Sequence, residues 1–283
     1  MHPSDLQDLE IALLVEALQR RHGFDFSGYA QASFKRRVLA LAEAQGCTTV
    51  SRLTERILHE PERLPEIVAG LSVPVSEMFR DPDLFRVLRE EVLPRLASFP
   101  HLSVWQAGCA HGEEVYSLAI LLEEVGLLAR SQIYATDFSD RALAQAQQGI
   151  YEARHLRLYE EQYHAAGGTR QLGDYLTERY AYMRVQERLR ERITFANHNL
   201  VADGVFGEMQ LILCRNVLIY FTEPLQARVL GLFREALVRG GYLMLGARES
   251  LRALSTPDWA PLRPGLPIYQ RAGPARKAHV GRR

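Results

Sequence analysis

Apolar positions over about the first seventy residues recur at helical spacing, in segments punctuated by glycine or proline. Leu6, Leu9, Leu13 and Ala17 make one stripe. Ser4 and Gln7 have the spacing of a capping box ahead of it, and Gly23 marks a stop. Phe34, Val38 and Leu41 define a second helix that ends near Gly46. Val50, Leu53 and Ile57 define a third before Pro61, and Leu64, Ile67, Val68 and Leu71 a fourth. Short amphipathic helices of this kind predict a small bundle with its own core over residues 1–71. From about residue 85 short apolar runs alternate with helical patterns. The runs are Leu102 to Gln106, Ile133 to Thr136, Met209 to Cys214 and Tyr242 to Leu245. Strands separated by helices predict βαβ units and a largely parallel sheet. The interval from Tyr151 to Arg192 fits neither rhythm, and contains Gly167-Gly168-Thr169, Gly173, Tyr175, Tyr180 and Tyr182. A stretch that long predicts an inserted subdomain, since long structureless loops are uncommon in compact folds.

Composition narrows the function classes. Hydrophobic residues make up 47% of the 283 and charged residues 24%, which excludes a disordered chain. Thirty-four basic residues balance 34 acidic ones, so the net charge of zero argues against coating nucleic acid. No apolar run has the length of a membrane span; Arg215 and Asn216 interrupt even Leu211 to Phe221. The opening Met1-His2-Pro3-Ser4-Asp5 lacks a secretory-signal layout, and Cys47, Cys109 and Cys214 form no CxxC pair. Neither a disulfide framework nor a zinc site is expected, and the expectation is a cytoplasmic monomer. The end, Ala272 to Arg283, is basic and poor in core residues, which predicts a frayed tail.

Candidate chemistry begins where the first predicted strand runs into small residues, Gln106-Ala107-Gly108-Cys109-Ala110-His111-Gly112, and an apolar helix follows. Small residues let a ligand lie against main-chain amides at a helix start. The next strand ends at Asp137, placed to accept ribose hydroxyls. Together they point to a nucleoside-type cofactor, either a dinucleotide or S-adenosylmethionine. Glu113 and Glu114 follow the loop directly. Two carboxylates repel a pyrophosphate and suit a ligand bearing an ammonium and a sulfonium, which favours the methyl donor. His111 reads as a tolerated surface residue, and Cys109 and Cys214 as packing.

Five segments then resemble the CheR-type chemoreceptor glutamate methyltransferases. They are Ser72 to Asp81, Trp105 to Ala119, Ala135 to Tyr151, Asn197-His198-Asn199-Leu200, and Cys214-Arg215-Asn216-Val217-Leu218-Ile219-Tyr220-Phe221. The resemblance implies a class I methyltransferase, a doubly wound Rossmann-like α/β sheet over residues 85–271 with its insertion at about 151–192. An all-α domain precedes it, joined by a linker at 72–84, and Pro267 to Gln270 becomes an antiparallel last strand. It also implies methyl transfer from S-adenosylmethionine to glutamates on the cytoplasmic domain of a chemoreceptor. A non-catalytic cofactor-sensing adaptor and methylation of another protein carboxylate are the alternatives.

Carried onto this chain, the resemblance places Ser76 and Arg80 of the linker in the cofactor cleft, beside Ala107 and Gly108. Glu113 or Glu114 holds the methionine part and Asp137 the ribose. Asn199 and Leu200 border the adenine, and Arg215, Asn216 and Tyr220 line the far wall, with Arg215 alternatively bracing the insertion against the sheet. The family often carries asparagine where Pro74 stands, and proline lacks that amide's hydrogen bonds. Arg80 is the candidate to orient the incoming carboxylate and Tyr220 to pack beside the sulfonium, which makes these two the candidate catalytic residues. Lys35, Arg36 and Arg37 lie on the second helix, which the resemblance implies helps dock glutamate-rich receptor helices. In some members the inserted subdomain adds a receptor peptide to a sheet edge. Here Leu176 to Arg190 reads partly helical, and Arg179, Arg184, Arg188, Arg190 and Arg192 make the stretch basic.

Overall fold

The computed structural model describes residues 3–72, 75–251 and 258–272. Pro74 and the tail from residue 273 onward therefore lie outside the described residues. The chain opens with four helices, α1 (Pro3–His22), α2 (Gln31–Ala44), α3 (Val50–His59) and α4 (Leu64–Leu71). Phe34, Val38, Leu41, Val50, Leu53, Ile57, Ile67 and Leu71 close one core, as their spacing predicts. In α1 the expected stripe is displaced. Leu6, Leu9 and Leu13 are about half exposed, and Leu14 and Leu18 are buried instead. Ile11, Leu14, Val15 and Leu18 satisfy the i, i+3, i+4, i+7 pattern themselves, and this second stripe faces the core. Ser4 lies inside α1 rather than capping it.

Beyond the linker, α5 (Pro82–Val87) runs through a π turn into α6 (Leu93–Leu96). The sheet follows as β1 (Leu102–Ala107), α7 (Glu113–Glu124), β2 (Ser131–Asp137) and α8 (Asp140–Gln148). The insertion holds β3 (Ile150–Glu152), α9 (Leu156–Ala165), β4 (Leu176–Arg179), β5 (Tyr182–Val185) and α10 (Glu187–Arg190). The sheet then resumes with β6 (Ile193–Asn197), β7 (Met209–Cys214), α11 (Glu223–Ala236), β8 (Leu237–Leu245), β9 (Trp259–Pro261) and β10 (Ile268–Arg271).

Seven strands pair in the order β6-β2-β1-β7-β8-β10-β9. The first five are parallel and β10 runs antiparallel to both neighbours, the class I methyltransferase arrangement. Alternation along the strands feeds two cores. Val104, Leu211 and Met244 face one side, and Trp105, Ile212 and Leu243 face the other. Burial on both faces explains why these strands read as continuous apolar runs. The edge strand β9 was not anticipated, being short and carrying Pro261.

The insertion forms a second sheet, ordered β3-β5-β4. Leu176 to Val185 is a hairpin rather than partly helical, with helix confined to α10. Tyr180 sits at its two-residue tip with a φ of 57°. The inserted sheet shares its core with the main domain: Tyr159, Tyr163, Tyr175 and Met183 pack in the same cluster as Leu118 and Leu122. One buried carboxylate at the end of α7 fastens it there. Glu124 accepts hydrogen bonds from the Tyr163 hydroxyl and from Tyr175, the latter at 2.8 Å, and pairs with Arg89. Glu124→Ala leaves two hydroxyls and a guanidinium unmatched. It is expected to cost about 3 kcal/mol in urea denaturation, with the 151–192 segment becoming the first site of limited proteolysis.

Candidate functional site

Crossovers leave the central strands in opposite directions at β1, β2 going to one side and β7 to the other, which opens a crevice at the carboxyl ends. A cavity of about 340 Å³ occupies it, a volume within the range of small-molecule sites. The loop after β1 forms its floor. The amides of Gly108 and Cys109 both donate to the Thr136 carbonyl, at 2.8 and 2.9 Å, which folds the chain back over β2. Gly108 has a φ of +71°, and a Cβ there would lie 2.5 Å from Val217. Only glycine meets both demands. Ala110 takes a φ of 48°, and its amide donates to Asp137 Oδ2 at 3.0 Å. Asp137 Oδ1 accepts from the Ser139 amide at 3.0 Å. The Phe138 amide bonds this carboxylate as well, and the acceptor capacity that remains can take a hydroxyl donor. Desolvation pushes the Asp137 carboxyl above its ordinary value.

The helical bundle closes one side. Ala30 donates its amide to the Tyr220 carbonyl at 2.8 Å, Thr222 donates to Gly28 at 2.8 Å, and Tyr29 bridges Phe221. This contact brings Tyr29 and Arg37 to the cavity wall beside Tyr220. The Arg37 guanidinium lies 5.0 Å over the Tyr220 ring. Its Nε and Nη2 are buried without hydrogen-bond partners among the described residues, and desolvation lowers its pKa.

Most predicted residues converge here: Ser76, Arg80, Gly108, Glu114, Asp137, Asn199, Leu200, Arg215, Asn216 and Tyr220 all reach the cavity. Others are placed differently. Ala107 is buried in the core on the α11 side of the sheet and is absent from the wall. Glu113 also stands behind the wall and bonds Ser76, while Glu114 reaches it. The Nη atoms of Arg215 are committed to protein groups, while its Nε is buried without a partner among the described residues. Its side chain is fully buried, with Nη1 donating to Glu114 Oε2 at 2.6 Å and Nη2 to Asp81 Oδ2 at 2.7 Å and to the Arg80 carbonyl at 2.9 Å. It braces the linker, not the insertion. The basic triplet divides as well: Lys35 pairs with Asp8 at 2.6 Å, Arg36 is exposed, and Arg37 turns inward. His111 is half-buried and off the wall. Burial raises both the Cys109 and Cys214 thiols well above their ordinary values, which fits packing.

Glu249 was missed. It accepts from the amides of Asn216 at 2.9 Å, Ile219 at 3.2 Å and Gly246 at 2.7 Å, and so fixes the loop that carries Tyr220. An acid shortly after a buried strand, at the carboxyl edge of a parallel sheet, is the signal that could have found it.

The cavity is therefore lined by two carboxylates, Asp137 and Glu114, and by Arg80, which makes no ion pair among the described residues, and Arg37. Such a lining can take a cationic group beside the carboxylates and an anionic group beside the guanidiniums. Among the described residues no His, Cys, Asp and Glu cluster could hold a metal, and no helix is long and apolar enough to cross a membrane.

Comparison with known proteins identifies the family. Residues 74–263 match the family described as CheR methyltransferase, SAM binding domain, and residues 9–72 match CheR methyltransferase, all-alpha domain. A methyltransferase designated Cher3 of Pseudomonas putida is 50% identical over 86% of this chain and 89% of its own. The chemotaxis protein methyltransferase of Listeria monocytogenes is 32% identical over 87% of this chain and 92% of its own. Chemotaxis protein methyltransferase 1 of Pseudomonas aeruginosa is 32% identical, covering 84% and 88% respectively.

Burial of Glu113 behind Ser76 has a pH consequence. Desolvation pushes its carboxyl up from 4.5 to about 7, so between those values the folded state holds a proton that the unfolded chain releases. Stability then falls as pH rises through that window, by roughly 3 kcal/mol. Glu113→Gln is expected to flatten this part of the profile in denaturant titrations at pH 5 and pH 7.5.

Proposed function

Because the chain belongs to the CheR methyltransferase family, we propose that it methylates glutamate side chains on the cytoplasmic helices of methyl-accepting chemoreceptors. The observation that carries this reading is that Arg80 and Arg37 line the same cavity as Asp137 and Glu114. Cations repel an amine acceptor and attract a carboxylate.

S-adenosylmethionine, when bound, supplies an electrophilic methyl carbon. Asp137 accepts its ribose hydroxyls, Glu114 faces its ammonium, Asn199 and Leu200 border its base, and Ser76 and Asn216 complete the wall. The acceptor glutamate is ionised at neutral pH, its reference value being about 4.3, so no side chain of this protein need remove a proton. Alignment is the remaining task, and well-oriented approach lowers a barrier by roughly 7–11 kcal/mol. Arg80 matches a carboxylate through two parallel N–H groups and orients it. Tyr220 presents its hydroxyl and its second ring face to the transfer line, since Arg37 already covers the first. Arg36, exposed on α2, meets the acidic receptor helix outside the cavity.

Incubation with radiolabelled donor and receptor cytoplasmic fragments is expected to give base-labile methyl esters on glutamate. Binding to the fragments without transfer would indicate an adaptor, and label confined to other proteins would indicate a different carboxylate. Arg80→Ala should lower kcat on receptor fragments by about 100-fold with donor bound. Near-normal turnover removes Arg80 from the mechanism. Arg36→Glu should raise KM for the fragment by about tenfold, a loss near 1.4 kcal/mol, and leave S-adenosylhomocysteine affinity unchanged in calorimetry. Equal loss of both would show that Arg36 does not dock substrate.

A further inference from the structure

The linker reaches Arg80 through backbone that resists its own geometry. Phe79 has a φ of 53° and Asp81 a φ of 54°, so left-handed residues other than glycine stand on both sides of Arg80. Such conformations persist only where surrounding contacts over-determine them. Phe79 is anchored by its amide, which donates to Ser117 Oγ at 2.8 Å, and by its fully buried ring. Asp81 and the Arg80 carbonyl are anchored by one group, Nη2 of Arg215, at 2.7 and 2.9 Å. Nη1 of the same guanidinium holds Glu114 on the cavity wall, and Gln106 Nε2 donates to the other oxygen of Glu114 at 2.9 Å. The planar head lies 5.4 Å from the Phe85 ring centroid, at the first turn after the linker.

We infer that Arg215 and Asp81 are positioning residues for the transfer reaction: their ion pair holds the left-handed turn that points the Arg80 side chain into the cavity. The inference rests on the reading that Arg80 meets the acceptor carboxylate. The Arg215 side chain is fully buried and both its Nη atoms bond protein groups, so its effect on the acceptor runs through Arg80. A single fork gripping a backbone carbonyl and two carboxylates sets the direction of the linker more tightly than a lysine could, since an ammonium is a point charge without the fixed plane. The expected signature is a turnover defect that exists only while Arg80 is present.

Asp81→Asn tests this with little risk to the fold, because the amide keeps the shape and one hydrogen-bond acceptor while losing the charge. Its kcat and KM on receptor fragments, and its affinity for S-adenosylhomocysteine, are measured in the native background and again with Arg80→Ala. A thermal melt of each variant confirms folding. The expected result is a kcat lowered about 10- to 100-fold in the native background, the scale of loss for a small misplacement of a reacting group. In the Arg80→Ala background the further loss should be under about twofold, a vanishing of the penalty that reports coupling. Donor affinity should shift by less than about threefold in both. An equal loss in both backgrounds, or a loss confined to donor affinity, overturns the positioning role and leaves the carboxylate-binding role of Arg80 standing. Full activity of Arg80→Ala alone removes that role, and the positioning inference with it. Arg215→Lys supplies a second check: if it folds and turns over like the native protein, the fork geometry is not required and the inference fails.

Discussion

Two charges are taken out of water at one point of this molecule, the Arg215 guanidinium and the Glu114 carboxylate, and the partly exposed carboxylate of Asp81 completes their pairing. Burial of either of the first two alone would be strongly unfavourable, so each is retained only because the other stays in place. The three come from separate segments, the loop after β7, the first turn of α7 and the linker. Their mutual pairing therefore fixes how the N-terminal part of the chain meets the sheet. The triplet carries one net negative charge and leaves Arg80 without an ion pair among the described residues.

Backbone strain is concentrated around the same place. Of the five non-glycine residues with positive φ among those described, Phe79, Asp81, Ala110 and Asn216 border the cavity or its immediate support. Each is held by a specific partner: Ser117 for Phe79, Arg215 for Asp81, Asp137 for Ala110 and Glu249 for Asn216. Glu249 and Asp137 are both buried acids whose pKa values desolvation raises, and both are steadied by backbone N–H groups. Carboxylates in this fold thus act first as backbone fasteners. The ligand surface is what remains of their hydrogen-bonding capacity.

The sheet was legible because strands buried on both faces must be apolar throughout, and the runs at Val104, Ile133, Ile212 and Leu243 have no other use. The insertion was less legible for an equally physical reason. Its hairpin turns at Tyr180-Ala181, without the glycine or asparagine that normally announces a two-residue turn. Its charged, exposed strands then imitate a helical surface. The error in α1 came from two apolar stripes competing on one helix, which periodicity alone does not rank. At the site, spacing brought out Asp137, Gly108 and the Cys214 to Phe221 string, since those residues lie next to strand ends. It could not separate Glu113 from Glu114, because neighbouring helical residues differ by 100° and only the packing of α7 decides which one faces the cavity.

The same 100° step governs the basic run on α2. Three consecutive cations cannot share one helical face, so Lys35, Arg36 and Arg37 must serve three environments, whatever partner they meet. Lys35 falls towards α1 and pairs with Asp8, Arg36 falls outward, and Arg37 falls across Tyr220 at the cavity wall. Only Arg36 keeps an exposed charge that a docking helix can reach. Arg37 is desolvated at the cavity wall, with its Nε and Nη2 unpartnered among the described residues. A bundle that looked like a docking module in sequence therefore also supplies part of the cavity wall, through Tyr29 and Arg37, and is attached to the sheet domain through Tyr29 and Phe221.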